Sequence, residues 1–169
     1  VTCPTGETKT VAWPANTLEL ASGVRGGTVA YVVSPAVRAV ARDFFGCDTL
    51  VGAELENQPT TEGDSVCWGS HWEERLSHDS VMSAELSGTD MSPLTLAWFE
   101  DAGWYRANFS AAGAQPAWGY KAGCAFATDA CLSGGGSAPA VLAHPFCNGD
   151  ASDLSGAGAL GCSADYGAT

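Results

Sequence analysis

Basic residues are scarce in this sequence. Seven Lys and Arg stand against 19 Asp and Glu in 169 residues, a formal net charge of −12. Such a surface repels phosphate backbones and anionic lipid, which excludes nucleic acid as an expected partner. Long apolar runs are lacking too. None approaches the roughly 18 residues that would mark a membrane span, so no transmembrane segment is expected in this chain. No Cys-x-x-Cys pair occurs, which argues against a structural zinc knuckle. A nucleophile elbow is missing, because the nearest approach, "GCSAD" at 161–165, lacks the final Gly. The glycines at 134–136 have no Lys-Ser/Thr after them and read as linker, not as a phosphate loop. "NGDASD" at 148–153 starts like a calcium loop but carries Asp153 where Gly is needed and Ala159 where the bidentate Glu belongs.

What is present suits one domain with a real core. Cys3, Cys47, Cys67, Cys124, Cys131, Cys147 and Cys162 are widely spaced in an acidic, Gly-rich chain with six Trp. That usage reads as disulfides formed in an oxidising compartment, hence an extracellular or cell-surface protein of the secretory pathway. Asn108-Phe109-Ser110 is an N-glycosylation sequon and agrees with it. An odd cysteine count leaves one thiol unpaired or paired elsewhere. Residue 1 is Val and no signal segment opens the chain, so the sequence reads as a piece of something longer.

Residues 1–33 combine Pro, Gly and Thr with β-prone runs such as "TVAYVV" (28–33), giving loops and one or two strands. A helix is expected near 34–46. Ser34 can cap it, Pro35 suits the first turn, Val37, Val40, Ala41 and Phe44 share a face, and Gly46 suits a left-handed stop. "WEERLSHD" (72–79) has the makings of a helical turn or two. The same grammar returns at Ser92 and Pro93, with Leu94, Ala97 and Trp98 as a buried stripe and Gly103 as the stop. Beyond residue 110 helix signals fade, and the last part is expected to be irregular and held by cross-links.

The histidines carry the metal question. His71 and His78 lie seven apart with Glu74 between them, and on one helix all three would share a face able to hold zinc. The competing reading, a solvated face with two ordinary histidines, is favoured on these residues alone. Glu73 and Glu74 read as surface charge. His144 reads as a turn residue. The six tryptophans (Trp13, Trp68, Trp72, Trp98, Trp104 and Trp118) could feed a contact surface, although aromatics of this kind usually fill cores.

Four longer stretches occur in order: "ARDFFGCDTLVGAELEN" (41–57), "GSHWEERLSHDSVMS" (69–83), "LTLAWFEDAGWYRANFS" (94–110) and "PAWGYKAGCAF" (116–126). Together they resemble the leishmanolysin family of zinc metalloendopeptidases, within the metzincins, over roughly residues 29–147. The resemblance implies an α+β fold, the C-terminal subdomain of a metzincin catalytic domain, loop-rich and disulfide-stapled. It implies that His71, in the Gly-Ser-His triplet, is the third zinc ligand. Met82 would belong to the Met-turn beneath the metal, and His78 would not be a ligand. Residues 1–70 would be the later part of an insertion domain, with the helix near 34–46 inside it. Residues 71–122 would hold the third-ligand His, the Met-turn and the following helix, and 123–169 a Cys-containing irregular C-terminal segment. Cys47 and Cys124 match a pair that the family bridges. Cys147 with Cys162 is a second candidate bridge, Cys131 would find its partner beyond Thr169, and Cys3 and Cys67 have no clear counterpart but are candidates to pair with each other.

The departure from the family pattern matters as much. Its motif His-Glu-x-x-His supplies two ligands and the general base. Here no Glu directly follows any of the three histidines. One imidazole cannot hold catalytic zinc, which takes three protein ligands and a water. The expectation is therefore a secreted or cell-surface zinc endopeptidase acting on peptide or protein substrates. In it this chain, inactive alone, relies on an upstream segment or chain for His-Glu-x-x-His, and zinc is completed from outside. The alternatives are a non-catalytic scaffold or adhesion protein of the same ancestry, and a small disulfide-rich binding module.

Overall fold

A computed structural model describes residues 16–24, 27–56, 70–83, 90–112 and 118–129. Strand β1 (Leu18–Val24) pairs antiparallel with β2 (Gly27–Val32), and β2 pairs antiparallel with the short β3 (Ala53–Glu54). The register sets Leu18 opposite Val32 and Ala53 opposite Val32 from the other side, so β2 is the central strand. Its residues alternate as a strand must. Val29, Tyr31 and Val33 form a cluster with Ala21, Val24 and Val51, while Val32 joins the main core on the opposite face.

Helix α1 (Pro35–Phe45) follows at once. Val37, Ala41, Phe44 and Phe45 are buried at helical spacing and Val40 packs against them. Gly46 ends the helix at φ +66°, where a side chain would be strained, and its N–H returns to the last turn. The N-terminus differs from the expectation. Ser34 occupies the cap position, but its side chain makes no capping bond. Instead the Asp101 carboxylate, from the far end of helix α3 (Pro93–Asp101), accepts from the N–H groups of Ala36 at 3.1 Å and Val37 at 3.0 Å. A carboxylate there satisfies two orphan donors and opposes the positive end of the helix dipole.

Helix α2 is a single turn, Glu74–Ser77. Helix α3 starts as its sequence indicates, with Ser92 Oγ accepting from Thr95 N at 3.3 Å. Leu94 and Ala97 are buried, but Trp98 is 37% exposed, so the expected stripe is narrower than three residues. The segment after residue 122 is not wholly irregular either: helix α4 spans Gly123–Thr128. It is too short to show periodicity and is held by its surroundings. Phe126 stacks near Phe45 with ring centroids 6.1 Å apart, and Arg75 donates to the carbonyls of Phe126 at 2.8 Å and Ala127 at 3.0 Å. A guanidinium at the last carbonyls of a helix is favourable on both hydrogen-bond and dipole grounds.

A disulfide joins Cys47, just past α1, to Cys124 in α4. It closes a sequence separation of 77 residues, which the chain-entropy account values at about 4.5 kcal/mol. Cys3, Cys67, Cys131, Cys147, Cys162, His144, Trp13 and Trp68 lie outside the described residues. Among the described residues, no helix is long and apolar enough to cross a membrane. The mixture of a small antiparallel sheet with short helices is an α+β arrangement.

Candidate metal centre

The residues around His71 are placed by a ladder of three short segments. Beyond β3, Leu55 pairs antiparallel with Trp72, and Trp72 pairs parallel with Ser83. The bonds run Glu56 N to His71 O at 2.9 Å, Glu73 N to Glu54 O at 3.0 Å and Trp72 N to Met82 O at 2.8 Å. Trp72 is buried in the core while His71, its neighbour on the middle segment of the ladder, is exposed. Among the described residues, no side-chain bond engages the His71 imidazole, so both ring nitrogens are open to a ligand role.

Met82 sits in a tight turn. Ser83 N donates to Ser80 O at 2.9 Å, and Met82 N donates to Ser80 Oγ at 3.2 Å. Half-buried Met82 packs against the main core beneath this ladder. The turn is fastened by buried hydroxyls. Ser80 Oγ donates to Ser92 Oγ at 3.2 Å, Ser92 Oγ and Thr95 Oγ1 lie 3.1 Å apart, and Trp72 Nε1 donates to Thr95 Oγ1 at 3.0 Å. Lone-pair counting orients the chain. Ser92 already accepts from Ser80 and from Thr95 N, so its own proton goes to Thr95, whose two acceptor sites are then filled by Ser92 and Trp72. One buried network thus links the indole beside His71, the Met82 turn and the cap of α3.

In the sequence Ser92 marks itself as a cap, while Ser80 and Thr95 carry no comparable signal. The available signal was Ser92-Pro93-Leu94-Thr95, a cap whose third following residue carries a second hydroxyl. Glu73 also differs from expectation. It is buried, not surface charge, because its N–H pairs with Glu54 O and draws it into the ladder before α2 begins. Glu54 and Glu56 are buried beside it, and Glu56 Oε2 accepts from Glu74 N at 3.4 Å, tying the ladder to the start of α2.

The one-face arrangement of His71, Glu74 and His78 does not form. Helix α2 starts only at Glu74, so His71 lies on the ladder before it. His78 Nδ1 is 2.7 Å from Glu74 Oε1, and its ring faces Trp118 at 5.6 Å, leaving both groups half-buried in a local pair. Among the described residues, no three His, Cys, Asp or Glu side chains are placed to hold a metal ion. The described residues therefore offer a metal one exposed imidazole, on a segment bonded to the Met82 turn, and not a complete site.

The sequence model of the leishmanolysin family matches residues 9–165, and the chain belongs to that family. It is 40% identical over 116 residues to a leishmanolysin homolog of Crithidia fasciculata, covering 68% of this chain and 17% of that protein. It is 41% identical over 132 residues to a leishmanolysin-like peptidase of Drosophila melanogaster, covering 74% and 19%. Against the leishmanolysin of Leishmania major the identity is 39% over 104 residues, covering 62% and 16%. The chain spans less than a fifth of the length of these relatives. The family is one of metalloproteases, a class that implies a metal cofactor and protein substrates.

Proposed function

We propose that these residues belong to a secreted or cell-surface zinc endopeptidase of the leishmanolysin type and contribute its third imidazole ligand, His71, with Met82 in the turn beneath the metal. Two further histidines and the general-base Glu would come from sequence outside these 169 residues. The observation that carries the reading is the pairing of Trp72 N with Met82 O at 2.8 Å, which fastens the His71 strand directly onto the Met82 turn. Exposed His71 would bind, Trp72 would hold its strand against the core, and buried Ser80 would keep the turn tight. Zinc, when bound, would lower the pKa of its water to about 7 and polarise the scissile carbonyl. Within this reading, residues 1–70 are the later part of an insertion domain, 71–122 the ligand and Met-turn region of a metzincin subdomain, and 123–169 a Cys-containing segment. Cys147 with Cys162 and Cys3 with Cys67 are the further bridges it would use.

The test is metal content and peptide cleavage of the complete gene product, comparing His71→Ala with His78→Ala. His71→Ala should lose both zinc and cleavage; His78→Ala should keep zinc at the level of the unaltered protein. Stoichiometric zinc in His71→Ala would overturn the assignment. An unaltered protein that binds no zinc would move the function to the non-catalytic scaffold or adhesion reading.

A further inference from the structure

The surface that follows α3 has an unusual composition for water contact. Trp104 is 85% exposed and Tyr105 60%, with Phe109 at 41% and Phe99 at 38%. Phe99 and Tyr105 meet edge to face with ring centroids 5.4 Å apart, and Ala107 N donates to Glu100 Oε2 at 2.6 Å, folding the 102–107 stretch back onto the helix end. Trp104 and Tyr105 gain little from burial and Phe99 and Phe109 only part of what they could, although aromatic rings contribute most of their energy when covered.

Asn108 lies in the same stretch and opens the sequon Asn108-Phe109-Ser110. It is exposed, at the start of a 3-10 turn spanning Phe109–Ala111. Its Oδ1 accepts from Ser110 N at 3.2 Å and Ser110 Oγ at 2.7 Å. The amide plane is thereby fixed with Nδ2 on the opposite side, and no described residue accepts from Nδ2. The nitrogen that would carry a sugar is the free end of the side chain. Trp104 and Tyr105 are four and three residues away, a span of at most roughly 14 Å even if extended.

We propose that Asn108 carries an N-linked glycan whose inner sugars cover the apolar surface of Phe99, Trp104, Tyr105 and Phe109. The proposal rests on the extracellular part of the function proposed above. In the transfer, Nδ2 attacks the anomeric carbon of an oligosaccharide carried on a lipid diphosphate. The N–C bond forms, the bond from that carbon to the diphosphate oxygen breaks, the lipid diphosphate leaves, and one Nδ2 proton passes to a base of the transferase. The fold need only leave Nδ2 outside, which it does. A bulky polar group then stands beside aromatic rings that would otherwise invite association.

The experiment uses the complete gene product secreted from cultured eukaryotic cells. Peptide mapping after release of N-glycans in heavy-oxygen water should convert Asn108 to labelled Asp in the unaltered protein and in Ser110→Thr. Asn108→Gln and Ser110→Ala should both lack the glycan. Glycan removal from the folded protein should increase acrylamide quenching of tryptophan fluorescence, and that increase should vanish in Trp104→Ala. An unmodified Asn108 in exported protein whose Cys47–Cys124 bridge is intact overturns the glycan and leaves the extracellular reading standing. Retained protein with reduced Cys47 and Cys124 overturns both. A glycan whose removal leaves quenching unchanged overturns the covering of the aromatic surface.

Discussion

Replacing Thr95 by Val probes whether the buried hydroxyl network holds the His71 strand to the Met82 turn. Valine keeps the β-branched shape, so the change removes an acceptor without opening a cavity. Thr95 is 2% exposed, and its Oγ1 receives Trp72 Nε1 at 3.0 Å and, by the lone-pair argument, the Ser92 proton. An indole N–H left unsatisfied in the interior costs about 1–3 kcal/mol. The Ser92 hydroxyl can rotate toward another acceptor, so its share is at the lower end of that range. The methyl gained in exchange for the hydroxyl returns about 0.8 kcal/mol. The expected net loss is therefore about 2 kcal/mol, read as the change in urea-unfolding free energy of the complete gene product. Trp72→Phe supplies the partner for a double-mutant cycle, since it removes the donor. If the bond matters, the double variant is less destabilised than the sum of the singles, by about 1–2 kcal/mol. A loss below about 0.5 kcal/mol for Thr95→Val, the size of an ordinary surface change, or strict additivity in the cycle would refute the reasoning.

Two further substitutions test the packing that carries the site. Asp101→Ala removes both acceptors at the start of α1 and should cost about 2 kcal/mol in unfolding free energy, a lost cap plus a lost dipole partner. Asp101→Asn keeps one acceptor but no charge, and should cost about half as much. Gly52→Ala places a Cβ 2.1 Å from Val32 O and 2.9 Å from Val32 C, so β2 and β3 must separate where Val32 pairs with Ala53. A loss of about 3 kcal/mol, the upper end for overpacking, is expected from the unfolding midpoint.

Helix α1 was legible because its signals are local. Proline in the first turn, apolar residues at helical spacing and a terminal glycine all lie within a dozen residues, and each acts where the sequence places it. Its cap was not legible, because the carboxylate comes from Asp101, far along the chain and at the wrong end of its own helix to look like a cap. Trp98 shows the same limit from the other direction. The spacing of Leu94, Ala97 and Trp98 describes a face, but how wide a strip of that face is covered depends on the neighbour. Here α3 packs against α1 with Ala97 fully buried, while Trp98 is left at the margin. Helix α4 has too few residues for periodicity to register, and its anchors, the Cys47–Cys124 bridge and the Arg75 guanidinium, are both distant in sequence.

The candidate site follows the same division, with one difference that bears on mechanism. Spacing arithmetic puts His71, Glu74 and His78 on one helical face, yet that arithmetic holds only if the helix has begun by His71. The ladder decides otherwise. Glu56 N takes the His71 carbonyl and Met82 O takes the Trp72 amide, so the backbone around His71 is committed to strand pairing before α2 can start. The consequence is chemical. A histidine on a helix would point along the same face as Glu74 and be drawn toward that carboxylate, as His78 is at 2.7 Å. A histidine exposed on the middle segment of the ladder, with its backbone paired to either side, has no side-chain bond to its ring among the described residues. Under the proposed function, in which the companion ligands come from elsewhere in sequence, that freedom would be the useful property, and the ladder that hid it from helical spacing is what provides it.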